Sequence, residues 1–163
     1  MDRRPALGQG EQMAIWALLP LLAGPAWAPP VASATVQAAF SPAAAYGSGH
    51  RGIDLEARPG ATVRAVADAT VALARPVAGK PVLVLVVEHS DLGRLRVTYE
   101  PVLPDVEAGD RVLAGQPIGT LARAGGHCGR EPHCLHLGIK QDGRYLDPGP
   151  FLNHGQVVLK PLR

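Results

Sequence analysis

The sequence predicts an all-β domain, a single body of antiparallel sheet or sandwich built from short strands. Three observations carry that expectation. The chain is 163 residues long, which gives room for one domain. Past the first 34 residues, short apolar runs rich in Val, Leu, Ile and Thr are broken every few residues by Gly, Pro and Asp. No window of a dozen residues after that point carries a helical apolar stripe.

The elements follow in order. Residues 1–34 read as an export signal: Arg3 and Arg4 supply charge, "MAIWALLPLLAG" (Met13–Gly24) is an apolar run, and small residues follow. The run is too short to span a membrane, and Pro20 interrupts it. Cleavage is expected after Ala34, where "ASA" has the small-x-small form, or after Ala28, where Pro29 hinders the cut. Residues 35–46 form a lead-in rich in Ala, Ser and Pro. Residues 47–153 form the domain and residues 154–163 a tail. Within the domain "ATVRAV", "ATVALA", "VLVLVVEH", "RLRVTYE", "RVLAG", "PIGTLA" and "CLHLGIK" are strand-sized. "SDLG" (Ser90–Gly93) reads as a hairpin turn, and Gly109-Asp110 and Gly115 as further turns.

Composition excludes one class of function. The formal net charge is +2, the basic residues are scattered, and there are only seven aromatics. Neither a basic stripe nor a stacking platform for nucleic acid is present. The domain is expected to act as a monomer outside the cytoplasm.

The chemistry concentrates at two segments. In "GHRGIDLEARPG" (Gly49–Gly60), His50 and Asp54 are four residues apart. On an extended strand both lie on one face, with Gly52 between them leaving open space for an ion. In "CLHLGIK" the alternation puts Cys134, His136 and Gly138 on one face and Leu135, Leu137 and Ile139 on the core face. His50, Asp54 and His136 together make an imidazole–carboxylate–imidazole set suited to zinc, with a fourth position left for water. The two cysteines, Cys128 and Cys134, enclose a short loop. Outside the cytosol a disulfide is the expected state, contributing about 2 kcal/mol by chain entropy. The rival reading is a Cys134 thiolate as a fourth, structural zinc ligand.

Taken in order, "GSGHRGIDLEARPGATVRAVADATVALA", "TYEPV", "VEAGDRVLAGQPIGTL" and "CLHLGIK" resemble the lysostaphin-type (LytM-like) zinc metallopeptidases, in an actinobacterial-like variant. The resemblance runs over residues 47–152. It implies the duplicated-hybrid-motif β fold, a zinc ion on His50, Asp54 and His136, and action on stem or cross-bridge peptides of peptidoglycan. It also exposes two departures. Family members carry a His-x-His strand, whose first histidine transfers protons; here that position is Cys134. The second acid–base histidine follows a Tyr-x pair; here that position is Pro101. Each lost histidine is worth about 10²–10⁴-fold in rate.

The expectation is therefore an exported zinc metalloendopeptidase-like protein of weakened activity. The alternative is a degenerate domain that binds wall peptides or regulates another wall enzyme. Three side chains are weighed as substitutes. His127, brought near by a Cys128–Cys134 bridge, is the leading one. His133 is expected on the opposite strand face, exposed, and Glu100 is expected to be turned away by alternation. Tyr99 is expected in the core, although its counterpart in the resembling family lines the groove.

Overall fold

The computed structural model describes residues 27–33, 35–41, 49–123, 128 and 133–152. Among them are eleven strands and one short helix: β1 (Val36–Ala38), β2 (Ile53–Glu56), β3 (Thr62–Arg64), β4 (Ala69–Val77), β5 (Lys80–His89), β6 (Gly93–Glu100), β7 (Val102–Pro104), β8 (Arg111–Val112), β9 (Pro117–Leu121), β10 (Cys134–Gln141), β11 (Arg144–Leu146) and α1 (Gly149–Leu152). Eight strands form one antiparallel sheet in the order β1-β2-β10-β6-β5-β4-β8, with β11 also paired to β10. A smaller sheet has the order β3-β9-β7. The fold is all-β, as the sequence predicts.

Alternation in the two central strands sets the layers. Leu135, Leu137 and Ile139 of β10 are fully buried, as are Leu95, Val97 and Tyr99 of β6 and Leu83 and Leu85 of β5. With Val63 and Ile118 from the small sheet they make one core between the sheets. The β4–β5 hairpin closes through Ala78 and Gly79, both with positive φ (49° and 80°). That backbone matches the strand twist and explains a glycine at the second turn position. Tyr99 is the largest fully buried side chain. Its hydroxyl accepts the Val66 N–H at 3.0 Å, and burial pushes its phenol above the usual range. It belongs to the core and not to a groove.

The segment ahead of β1 is part of this packing. Trp27 and Val31 are buried, the Ala28 N–H donates to the Val66 carbonyl at 2.6 Å, and the Arg64 N–H donates to the Pro30 carbonyl at 2.9 Å. The two expected cut points therefore differ in what they would remove. A chain starting at Thr35 is expected to be less stable than one starting at Pro29. The loss of the buried Val31 side chain alone costs about 1.5–3 kcal/mol. Urea melts of the two truncations measure the difference. Residues 1–26 lie outside the described residues.

Candidate metal centre

Antiparallel register brings the two chemical segments together. His136 on β10 lies directly opposite Asp54 on β2, so their side chains share a face. His50 sits just ahead of β2, where its backbone exchanges two hydrogen bonds with Ser41 (2.8 and 2.9 Å). The extended strand expected from His50 through Asp54 is thus interrupted, and β2 proper starts at Ile53.

Three atoms converge. The His50 Nε2 lies 3.1 Å from Asp54 Oδ1 and 3.1 Å from His136 Nδ1, and the last two are 2.9 Å apart. Ligands about 2.0–2.1 Å from a tetrahedral zinc stand roughly 3.3 Å from one another, so this triangle is close to one face of such a site. The chemistry of the donors agrees. His50 Nδ1 lies 2.8 Å from the Ala39 carbonyl, a contact that places the proton on Nδ1 and turns the Nε2 lone pair inward. Among the described residues Asp54 is the one buried charged side chain, 4% exposed. A buried carboxylate facing an imidazole lone pair calls for a cation between them. The residues present fit zinc.

Gly52 has a different part from the one its sequence position predicts. A Cβ built there would collide with the Leu137 carbonyl and stand 2.7 and 2.8 Å from the His136 ring. The missing side chain makes room for the imidazole and for β10, not for an ion. Gly52→Ala is expected to push β10 outward, costing about 1–3 kcal/mol of stability. Zinc affinity should fall with it; a chemical melt and a zinc titration report the two losses.

Cys134 is bonded to Cys128, with Cα atoms 5.9 Å apart, and the described residues contain no free cysteine. The sulfurs lie within 4.8 Å of an Asp54 carboxylate oxygen, so the disulfide walls the site. As a disulfide, Cys134 offers no thiolate, and the rival four-ligand reading loses its fourth ligand. Pro101 is buried, and its carbonyl accepts the Ala122 N–H at 3.0 Å. It has no proton to give. His133 is half-buried and precedes β10, its carbonyl accepting the Ala57 N–H at 3.3 Å. His89 serves its turn: Nδ1 accepts the Asp91 and Leu92 N–H groups at 3.2 and 3.4 Å. His127 and His154 lie outside the described residues.

Glu100 is not turned away from the site. It stands directly opposite His136 across the β10–β6 pair, on the same face as the triad. Asp54, His136 and Glu100 therefore form one cross-strand row. Lys80 Nζ donates to Glu100 Oε1 at 2.9 Å, and the Glu100 side chain is 17% exposed. Alternation from the core residue Tyr99 already points Glu100 to this face. Pro101, next along the chain, is buried, so the alternation places Glu100 and not Pro101 on the open face.

Comparison with known proteins identifies the family and the fold. Residues 48–148 match the model of peptidase family M23. The Mycobacterium tuberculosis (strain H37Rv) protein Rv2891, itself uncharacterized, is 41% identical over 122 residues, covering 72% of this chain and 47% of its own length. The chain thus spans about half the length of the curated relatives it matches. A zinc-containing peptidase from Vibrio cholerae is similar in structure, with a TM-score of 0.61 and 25% identity, over 80% of this chain and 40% of that one. The catalytic domain of lysostaphin, an antimicrobial peptidase from Staphylococcus simulans, has the same fold, with a TM-score of 0.58 at 24% identity over 72% of this chain and 90% of that one.

Proposed function

This chain belongs to peptidase family M23, and from that premise we propose that it is an exported zinc metalloendopeptidase acting on the peptides of peptidoglycan. The observation that carries the reading is the meeting of His50 Nε2, Asp54 Oδ1 and His136 Nδ1 within 3.1 Å around a buried carboxylate. When bound there, zinc acidifies a water ligand and polarises the scissile carbonyl.

The chain's own groups do the rest. Ala39 fixes the His50 ring through Nδ1, so the ligand nitrogen is aimed before any metal arrives. Asp54 supplies the negative charge that a divalent cation needs in a buried place. Glu100 takes the proton of the attacking water and returns it to the departing amine. Lys80 holds one of its oxygens and leaves the other for that transfer. This assignment fills the gap left by Cys134 and Pro101, neither of which can carry a proton. His127 is the second candidate for the same work.

Export is supported by the charged and apolar N-terminal segment and by the disulfide, which persists in oxidising compartments. Among the described residues no helix is long and apolar enough to cross a membrane.

A second reading has a specific observation behind it. With a disulfide and a proline at the two acid–base positions, the domain would bind wall peptides, or engage another wall enzyme, without cutting. One experiment separates the two: metal analysis of the purified protein combined with assay of new amino groups released from peptidoglycan. Zinc with release, lost in Asp54→Ala, supports the peptidase. Zinc without release supports the binding module.

A further inference from the structure

The open face of the large sheet carries a second chemical row. Four residues along β10 from His136, on the same face and about 13 Å away, Lys140 stands directly opposite Arg96 of β6 on one side and Tyr145 of β11 on the other. Lys140 Nζ lies 5.1 Å from the Tyr145 ring centroid and Arg51 Cζ lies 5.4 Å from it, so two cations hold one exposed ring. Arg94, Arg96 and Lys140 line a depression of about 350 Å³ with Asp142 and Gly143. Three cations there face one carboxylate. Arg94 is partly neutralised by Glu88, at 3.1 Å. Arg96 and Lys140 have no carboxylate partner among the described residues.

Like charges placed directly opposite one another weaken an antiparallel pair. Arg96 and Lys140 are kept in that arrangement, and an anion seated between them would relieve it. The face is also polarised along its length, with Asp54 and Glu100 in the metal row and the cations in the distal row. Half-buried Thr98, opposite Gly138, forms the step between the two.

We propose that the Arg96–Lys140–Tyr145 row is a subsite for a carboxylate of the peptide substrate, gripping an acidic group about four extended residues from the bond held at the metal row. The proposal rests on this face being a peptide site, and it adds which peptides are preferred. The carboxylate belongs either to the peptide's C-terminus or to an acidic side chain.

Fluorescence anisotropy on the full chain in zinc-containing buffer tests it. The probes are three N-terminally labelled six-residue glycine-based peptides: a free acid, its C-terminal amide, and an amide ending in glutamate. The expected result is about tenfold tighter binding of at least one acidic peptide than of the plain amide. Which acidic peptide gains identifies the source of the carboxylate. In the Arg96→Gln/Lys140→Gln double variant that preference should fall to about one, with the plain amide bound as before. Arg96→Gln alone, a change at an exposed position, should remove part of it. Equal binding of all three peptides to the wild type, no binding of any, or a preference that survives in the double variant would overturn the proposal. The readout is binding, so a protein that releases no amino groups from peptidoglycan still answers the question.

Discussion

Replacing Asp54 by alanine is expected to abolish zinc binding and peptide cleavage together, with zinc falling from about one per chain to near none by elemental analysis. The reason is electrostatic as much as geometric. Asp54 is buried beside two imidazoles, and it is the charge that makes a dication tolerable there. Without it, His50 and His136 offer a dication two imidazole nitrogens and no compensating negative charge. The same logic gives a stability signature. In the wild type, free zinc at 1,000 times its dissociation constant adds about 4 kcal/mol to the folded state. That corresponds to a melting shift on the order of 10–20 °C for a domain of this size. Chelator should remove the shift from the wild type and leave the Asp54→Ala melt where it is. A wild-type melt indifferent to both zinc and chelator would count against the site.

Glu100→Gln should separate chemistry from metal binding. Glutamine keeps the size and one hydrogen bond to Lys80, but it cannot take a proton. The turnover number is expected to fall about 10²–10⁴-fold while zinc content stays at one per chain. Rates on peptidoglycan, with metal analysis of the same samples, make the comparison. His127→Ala is the control: unchanged cleavage there, with the large loss at Glu100, assigns proton transfer to the row opposite His136. Full activity in Glu100→Gln would end its assigned role and return His127 to first place.

The residues that carry the fold were legible because β structure writes its pattern locally. "RLRVTYE" and "CLHLGIK" alternate so cleanly that the core faces of β6 and β10 follow from the residue types alone, and burial matches them. The triad was legible for the same reason: His136 is on the open face of β10, and His-x-x-x-Asp leads into β2 with Asp54 as its second residue. What the sequence hid was contact between segments. Gly52 looked like room for an ion because nothing local shows that the His136 ring, 84 residues on, lies against it. Glu100 follows the buried Tyr99, so strict alternation places it on the open face, but the Glu-Pro step that ends β6 obscures that local signal. Its placement beside the triad also needed the β10–β6 register, a pairing across 36 residues. The cationic distal row needs that register too, since Arg96 and Lys140 are unremarkable until they stand opposite each other. The packing of Trp27 and Val31 was hidden for another reason: apolar residues after a signal-like run look the same whether they are discarded or buried.

His50, Asp54 and His136 are expected to hold one zinc ion with no help from sulfur. X-ray absorption at the zinc edge of the purified protein reads that ligand set. Nitrogen and oxygen neighbours are expected at about 2.0–2.1 Å, including two imidazoles, with no sulfur shell near 2.3 Å. A sulfur neighbour, or a protein that holds no zinc after dialysis against it, would rule this ligand set out.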